Sequence, residues 1–475
     1  MEEHSLASTL FGVTRIQRVL LVCLGFGIIA LLGFAYFLRN APVSATGWVA
    51  KRVCSGVFVG GRAPETLEEA TLPLPVPLPI EIPAEIDYVA KTVTAHFASY
   101  FAPSTARFRP GLGCTLEGPK EASSPLDEVI LPQRARARPF RVEPSAKIEE
   151  AITDAFAEAD GGAMTSDFLQ PKTRAVVVLR DGVLVAERYA EGFDAATALP
   201  GWSMTKSVTS TLIGLLVSAG RIDLAAPVGL EEWAGEGDSR SAITWDQLLR
   251  MSSGLAFEED YGAPNSDAIQ MLFGIERFSR GRYAALRSLV FEPDTAWSYS
   301  SGTTNLLHYA MLTQVFHGDA ESYLRYPAQA LFDPLGMSSA IIEPDESGVY
   351  VGSSHQLATA RDWARLGQLY LDRGEFEGNR LLPETWIDYA LRPTATNTAG
   401  TYGAHWWLNV DPAEGVRRFP RLASNVFMAS GFEGQYVVVV PNDGLVIVRL
   451  GLDRGDRLDI EGLVARVVAA ARGSS

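Results

Sequence analysis

A serine and a lysine stand three residues apart in the segment Ser203-Met204-Thr205-Lys206. Residues i and i+3 share one face of a helix, so the hydroxyl and the amine can meet if a helix starts here. The unpaired N–H groups of a helix N-terminus favour negative charge that develops on the serine. Burial would lower the pKa of the lysine and make it a usable base. The pair is therefore a candidate nucleophile with its general base.

Lysine is rare in this chain, which strengthens the case for a functional role of Lys206. Only six of the 41 Lys+Arg residues are lysines, and every cation after Lys206 is an arginine. Arginine keeps its proton in proteins and could not act as the base. The segment also leads into an apolar run over residues 212–217, typical of a buried helix. The alternative is a solvated surface lysine in a first helical turn.

A tyrosine follows about 100 residues later, in the segment Tyr299-Ser300-Ser301. It is the only one of the 15 tyrosines that has Ser or Asn two positions further on. A tyrosine hydroxyl beside a deprotonated lysine can relay a proton between nucleophile and leaving group. Tyr299 is therefore the candidate proton shuttle. The alternative is a tyrosine that packs at the start of a helix over about 304–315, with its hydroxyl capped by Ser301.

A third segment, residues 429–435, has small residues ahead of an apolar hairpin. It reads Ala-Ser-Gly-Phe-Glu-Gly-Gln. Small residues at a strand edge let a substrate approach the backbone, whose N–H groups can hold an oxyanion. The alternative is an ordinary glycine turn into a strand.

Other chemistries have less support. No Gly-x-Ser-x-Gly occurs, which excludes the nucleophile elbow of α/β-hydrolases. The histidines lack metal-type spacing, so we expect no metal and no cofactor. The net charge of −15 opposes binding to nucleic-acid phosphates. Three cysteines are too few for a disulfide-built scaffold.

Taken in order, the three segments resemble the serine β-lactamase and penicillin-binding-protein superfamily. The likeness is greatest to its class C and esterase-type branch, and within it to the 6-aminohexanoate-dimer hydrolase-like group. It covers roughly residues 140–475 and includes the blocks 202–207, 299–305, 360–365 and 402–407. The resemblance implies a serine hydrolase with an antiparallel sheet flanked by helices.

The resemblance also implies a role for each matching residue. Ser203 would be the acylated nucleophile and Lys206 its base. Tyr299 would carry the proton to the leaving group and help to activate the deacylating water. The backbone N–H groups of Ser203 and Phe432 would form the oxyanion hole.

A further set of residues is predicted to line the substrate pocket. Tyr261, in Glu-Glu-Asp-Tyr, resembles a substrate-contacting tyrosine of the aminohexanoate hydrolases. Trp407 belongs to an aromatic pair that could line the acyl pocket or pack in the core. We expect substrate contacts from Tyr261, Trp407, Ser430 and Gly431.

One position departs from the pattern of β-lactamases and transpeptidases. Those proteins usually have Lys-Thr-Gly or His-Thr-Gly at the third motif, where the cation helps to hold the substrate carboxylate. The aligned residue here is Ala429, and no lysine follows Lys206. Unless a distant arginine replaces the cation, β-lactam carboxylates should bind poorly. The departure favours an esterase or amidase.

The elements that must position these residues come from both ends of the catalytic region. Residues 174–189 and 435–450 are each two apolar runs joined at a turn signal, which predicts two hairpins. Helices are predicted over 203–217, with Gly220 just beyond the end, and over 460–472.

This pattern predicts an α/β (α+β), β-lactamase-like fold over residues 131–475. The antiparallel sheet would be built from both ends of the region, and a helical subdomain would be inserted at about 221–420. An amphipathic helix is predicted over 145–159.

The N-terminus predicts a membrane anchor. Residues 19–38 are apolar and uncharged, and about 20 such residues span a bilayer. A signal-peptide core is usually shorter, about 7–15 residues. Residues 1–18 would then be cytoplasmic, and residues 39–130 would form a membrane-proximal Pro-rich segment. The alternative is a protein secreted after signal cleavage near Ala45.

Cys54 and Cys114 are the only cysteines outside that span. An oxidising compartment would bridge such a pair, and the alternative is two unrelated buried thiols. We favour a bridge, and with it an inner-membrane protein whose catalytic domain lies in the periplasm.

Together these patterns predict a membrane-anchored serine hydrolase that cleaves a small-molecule ester or amide through an acyl-enzyme. One alternative is a β-lactamase or D-Ala-D-Ala carboxypeptidase. Another is a catalytically silent binding protein that keeps the β-lactamase fold.

Overall fold

The computed structural model describes residues 15–70, 82–98, 101–118, 124–132, 134, 138–156, 171–411, 417–454 and 457–473. The helices are α1 Arg15–Cys54, α2 Ala146–Thr153, α3 Met204–Ser218, α4 Trp245–Leu249, α5 Asp267–Leu272, α6 Arg280–Ala285, α7 Ser301–Ala310, α8 Ala320–Pro327, α9 Asp333–Leu335, α10 Ala360–Leu371, α11 Glu384–Ala390 and α12 Ile460–Arg472. The strands are β1 Ala84–Asp87, β2 Thr92–Phe97, β3 Phe101–Arg109, β4 Gly113–Leu116, β5 Lys172–Arg180, β6 Val183–Tyr189, β7 Leu199–Pro200, β8 Ile341–Ile342, β9 Gln356–Ala358, β10 Glu375–Phe376, β11 Asn379–Arg380, β12 Trp407–Leu408, β13 Phe427–Gly431, β14 Gln435–Val440 and β15 Leu445–Leu452.

The central sheet has six strands in the order β12-β13-β14-β15-β5-β6, and all neighbours are antiparallel. The hairpins predicted over 174–189 and 435–450 are confirmed as β5–β6 and β14–β15. The two hairpins meet where β15 pairs with β5, with Leu445 opposite Arg180. The sheet is therefore assembled from both ends of the catalytic region, as predicted.

Both faces of this sheet are covered, which explains its uninterrupted apolar runs. Val177 and Val448 belong to the core shared with α3 and α10, whereas Val178 and Ile447 belong to the core under α2 and α12. Successive side chains of a strand point to opposite faces, so a strand buried on both sides needs apolar residues at every position. Within this sheet, strand β13 lies beside α3.

The helix that carries the serine and the lysine is confirmed as α3. Ser203 is its N-cap residue, and Gly220 has a φ of 68° just beyond its end. The closing helix is confirmed as α12. The shorter helices α4–α11 lie between α3 and β12, in the region where a helical subdomain was predicted.

Two helix boundaries differ from the predictions. The helix expected from about residue 304 begins at Ser301, because the Ser300 side chain accepts a hydrogen bond from the Thr303 N–H and caps the helix there. The helix expected over 145–159 ends as an α-helix at Thr153, and its last predicted residues lie outside the described ones. The Pro-rich stretch over 71–81 also lies outside them.

The second half of α1 and strands β1–β4 pack against the catalytic domain as one N-terminal module, residues 40–70, 82–98 and 101–116. Trp48 stacks on Trp202 with ring centroids 5.4 Å apart. Cys54 and Cys114 form a disulfide between α1 and β4. This segment therefore contacts the residue that precedes Ser203, a contact that the sequence patterns did not predict.

In the part of the chain that the structure describes, no helix is both long and apolar enough to cross a membrane. The transmembrane helix predicted for residues 19–38 is thus not supported. Those residues belong to α1, which continues into the buried part of the N-terminal module.

Candidate active site

Ser203 and Lys206 meet at the first turn of α3. The Lys206 Nζ lies 3.1 Å from the Ser203 Oγ, as expected for positions i and i+3 at the start of a helix. Two further contacts hold the amine: 3.0 Å to the Ser301 Oγ and 3.1 Å to the Ser353 carbonyl oxygen. The amine is thus fixed by three oxygens from three separate segments.

The environment of Lys206 makes its neutral amine easier to form than that of a surface lysine. The residue is only 1% exposed, and burial lowers its pKa from 10.5 to about 8, although the Glu259 carboxylate acts in the opposite direction. A buried ammonium loses its hydration, so the proton is released more readily than from a surface lysine. The surface-lysine alternative does not describe this residue.

Tyr299 lies over the same amine. Its ring centroid is 4.8 Å from the Lys206 Nζ, and the nearby Ser203 side chain lowers its pKa in part. Burial, followed by the Glu259 carboxylate, raises the pKa of Tyr299 well above its ordinary value. Tyr299 is therefore a protonated phenol that can donate, and Lys206 is the stronger candidate for the base.

An aromatic wall borders the site beside Tyr299. The Trp407 ring stacks on Tyr299 with centroids 5.5 Å apart, and Tyr402 meets Tyr299 edge-on. The Arg418 guanidinium lies 4.4 Å above the Trp407 ring, and its charge lowers the pKa of Tyr299 in part. Trp407 is half-buried and lines the site, whereas its neighbour Trp406 is fully buried in the core.

Strand β13 approaches the start of α3 closely, and a glycine makes this possible. A Cβ at Gly431 would lie 2.2 Å from the Gly201 carbonyl oxygen and 3.1 Å from the Trp202 Cβ. Phe432 follows directly. Neither its N–H nor that of Ser203 has a hydrogen-bond partner among the described residues. Both donors are available to an oxyanion at the place where the nucleophile begins its helix.

Trp202, the residue before the nucleophile, has a φ of 50°. Such left-handed backbone is unfavourable for a large side chain and persists only where the surroundings enforce it. The Trp202 Nε1–H donates to the Glu433 carboxylate at 3.1 Å. Arg52, from the N-terminal module, donates to the same carboxylate at 2.8 Å and lies 4.7 Å above the Trp202 ring.

The structure also places the pocket residues that were predicted from the sequence. Tyr261 stacks on Phe432 with centroids 4.8 Å apart, so it lies beside the candidate oxyanion hole. Ser430 and Gly431 are half-buried at the end of β13. Ala429 is 1% exposed and packs in the core, which leaves no room for a cation at that position.

The sequence patterns gave no role around the Lys206 amine to four polar residues of the site. Ser301 marked the Tyr-x-Ser motif and was considered as a cap for Tyr299, but its contact with Lys206 was not predicted. Glu259 lies in the Glu-Glu-Asp-Tyr segment used for Tyr261, and that proximity was the available signal. Ser353 and Arg418 come from loops with no motif that could have indicated them.

Comparison with known proteins supports the same class. The β-lactamase family model matches residues 167–462. The 6-aminohexanoate-dimer hydrolase of Paenarthrobacter ureafaciens is 28% identical over 302 residues, which cover 58% of this chain and 72% of that protein.

Solved structures share the fold. A family VIII carboxylesterase superposes with a TM-score of 0.52 at 16% identity, covering 72% of this chain and 100% of that one. A penicillin-binding-protein homologue from Caulobacter crescentus superposes with a TM-score of 0.50 at 19% identity, with the same two coverages.

The fold and the serine–lysine pair define a serine hydrolase. The chain belongs to the β-lactamase family.

Proposed function

We propose that this protein hydrolyses a small-molecule ester or amide through an acyl-enzyme on Ser203, with Lys206 as base and Tyr299 as proton shuttle. The observation that carries the proposal is the buried Lys206 amine 3.1 Å from the Ser203 Oγ, with its pKa lowered to about 8. A neutral amine at that distance can take the serine proton directly.

The geometry supports the following steps. The Ser203 hydroxyl gives its proton to the Lys206 Nζ while its Oγ bonds to the substrate carbonyl carbon. The carbonyl oxygen becomes an oxyanion and accepts from the N–H groups of Ser203 and Phe432. Tyr299 protonates the leaving group as the carbonyl re-forms, and the Lys206 ammonium returns a proton to Tyr299. Water then attacks the ester on Ser203, with the proton transfers reversed.

The two ionisable groups have distinct roles because their pKa values shift in opposite directions. Burial lowers the pKa of Lys206 and raises that of Tyr299. A phenolate at Tyr299 would be costly near neutral pH, whereas the free amine is accessible. We therefore assign the base to Lys206 and the donor to Tyr299.

The substrate class follows from the pocket and from the relatives. The matched hydrolase is named for an aminohexanoate dimer, and a structural relative is named a carboxylesterase. The aromatic wall of Trp407 and Tyr402 can enclose an apolar acyl chain. The third-motif position is a buried alanine, Ala429, rather than a cation. These features support an ester or amide.

Labelling with a fluorophosphonate and hydrolysis of p-nitrophenyl butyrate test the proposal. Wild-type protein should show both, and Ser203→Ala neither. Lys206→Arg keeps the positive charge and loses the base, so it should lose nearly all of both activities.

Exposed Lys147 provides a control, because Lys147→Arg should retain wild-type activity. Full activity of Lys206→Arg would refute the base assignment. A wild-type protein that is neither labelled nor active would refute the enzyme and favour a silent binding protein.

One observation favours an alternative, β-lactamase or D-Ala-D-Ala carboxypeptidase activity. Among the described residues Arg418 has no ion-pair partner, and its charge reaches Tyr299. It could hold the carboxylate that a cation at position 429 holds elsewhere in the superfamily.

Fluorescent penicillin tests this alternative. Labelling of Ser203 that is lost in Arg418→Gln would support it. Its sequence neighbour Arg417 is paired with Asp411, so Arg417→Gln is the matched control and should be labelled normally. Absence of penicillin labelling in a protein that hydrolyses esters would contradict it.

We also propose that the catalytic domain lies in the periplasm. The Cys54–Cys114 disulfide supports this, because such bonds persist in oxidising compartments. Alkylation of free thiols in whole cells, followed by electrophoresis without reductant, should show the bond in the native protein. Free thiols at both positions would argue against this location.

A further inference from the structure

Glu259 makes two short hydrogen bonds to a single residue of the active site. Its Oε2 accepts from the Ser301 N–H at 2.6 Å, and its Oε1 accepts from the Ser301 hydroxyl at 2.5 Å. A carboxylate only accepts hydrogen bonds when it is ionised. The single hydroxyl proton of Ser301 therefore points at Glu259.

This contact decides what Ser301 can offer to Lys206. The Ser301 Oγ lies 3.0 Å from the Lys206 Nζ. Because its proton is engaged by Glu259, the oxygen presents a lone pair to the amine and can only accept. The Ser353 carbonyl oxygen, 3.1 Å from the same amine, is likewise only an acceptor.

A neutral lysine has two N–H bonds and one lone pair. Two obligatory acceptors, Ser301 and Ser353, engage the two N–H bonds. The lone pair is then left for the third neighbour, the Ser203 Oγ at 3.1 Å. This is the arrangement in which the amine takes the serine proton rather than donating one.

We propose that Glu259 is a positioning residue, which makes the Ser301 hydroxyl an obligatory acceptor and so directs the Lys206 lone pair at Ser203. The inference rests on the proposed role of Lys206 as base. Glu259 takes no proton in the reaction, because the serine proton passes to Lys206 and then to Tyr299.

The charge of Glu259 has a second, separate effect. It is the carboxylate that raises the pKa of Lys206 against the effect of burial. The other titratable groups near this amine are neutral. Burial raises the pKa of Tyr299 and Tyr261, and it lowers the pKa of His405 to about 3. The described surroundings of Lys206 thus contain one fixed negative charge.

The test is the pH dependence of the fluorophosphonate labelling rate in Glu259→Gln. The glutamine amide can donate a hydrogen bond to the Ser301 Oγ. The hydroxyl proton of Ser301 is then free to turn towards Lys206. The plateau rate at high pH should fall about tenfold or more. The loss of the negative charge should also move the acid limb about half a pH unit or more to lower pH.

Two variants separate these effects. Glu259→Asp keeps the charge at a shorter reach, so its acid limb should stay at the wild-type pH while its plateau rate falls. Glu258→Gln, at the exposed neighbouring position, should match the wild type in both respects. Thermal melts of all variants report folding.

A Glu259→Gln profile with the wild-type rate and position would overturn the inference. If that variant does not fold, Ser301→Ala examines the same link, and an unchanged plateau rate there would overturn it as well. Failure of the wild type itself to be labelled would instead refute the proposed function.

Discussion

Lys206 is an ionisable side chain kept where its charge is costly. Burial lowers its pKa to about 8 even though the Glu259 carboxylate raises it, so at pH 7 only about one tenth of the molecules carry the free amine. The rate of acylation should therefore rise with pH up to about 8 and then level off. Such a profile indicates a base that must lose its proton before it reacts. A rate that falls as the pH rises towards 8 would instead indicate a reaction that needs the Lys206 ammonium.

Replacement of Lys206 by methionine should stabilise the fold while it removes activity. The shift from 10.5 to about 8 corresponds to a cost of about 3 kcal/mol at neutral pH, only partly offset by the amine's hydrogen bonds. Lys206→Met should raise the melting temperature at pH 7 by about 2–5 °C.

The pH dependence of that gain has a definite sign. The folded pKa lies below the unfolded one, so the unfolded chain binds the extra proton between about pH 8 and 10.5. The cost to the wild type is complete below pH 8 and shrinks above it, and the gain in Lys206→Met should shrink with it. Exposed Lys147→Met should show no such trend, and a variant that melts below the wild type at pH 7 would contradict the account.

At the residue scale, the sequence predicted the contact between residues that are close along the chain. It did not predict the contacts made by residues from distant loops. Ser203 and Lys206 are three positions apart on one helix, so helical geometry alone brings them together. Ser353 contacts the same amine from a separate loop, and Glu259 contacts Ser301 from another. Their placement depends on how those loops pack, which no local pattern records.

The elements place the oxyanion donors by bringing β13 against the turn before α3. The approach requires a glycine at position 431, because a Cβ there would lie 2.2 Å from the Gly201 carbonyl oxygen. The glycine-rich segment was predicted to permit a close approach of the substrate. In the structure the close approach is also between two backbone segments of the protein.

Gly431→Ala should push β13 away from the nucleophile turn and displace the Phe432 N–H. We expect the kcat of ester hydrolysis to fall about 100-fold, since one oxyanion donor contributes at that level. Gly235→Ala is the matched control, because no atom lies within 4 Å of a Cβ built there. A Gly431→Ala protein with wild-type kcat would show that this approach does not set the donor.

Element prediction succeeded where the signal was local. The two hairpins and helices α3 and α12 were predicted close to their observed bounds, because apolar periodicity and turn residues mark them. The β1–β4 sheet was not predicted. Its strands are short and lie beside a Pro-rich stretch, and their burial comes from packing on α1.

At the scale of the whole molecule, the N-terminal module packs behind the active site and helps to support it. Its Arg52 binds Glu433, which follows Phe432. Deeper in the interface Lys51 pairs with Glu343, a carboxylate that also accepts from the Ser55 hydroxyl at 2.8 Å. Because Lys51 and Glu343 are both buried, loss of either one would leave the other without its ion-pair partner.

The Cys54–Cys114 disulfide links α1 to β4 within this module. Cys54 and Cys114 are 60 residues apart, and a loop of that length gives up to about 4 kcal/mol of stabilisation in the chain-entropy model. The double variant Cys54→Ser/Cys114→Ser should melt at a lower temperature and lose activity at a lower temperature. Cys23→Ser, at an exposed free cysteine, should leave both unchanged. An unchanged melting temperature in the double variant would show that the bond adds no stability.

The central claim is that Ser203 carries the acyl group during turnover. The most direct measurement is rapid acid quenching of the reaction with p-nitrophenyl butyrate, followed by mass spectrometry of the intact protein and its peptides. We predict one butyryl group on the peptide that contains Ser203, and none in Ser203→Ala. Turnover without any acylated protein, or with the butyryl group on another residue, would contradict the account.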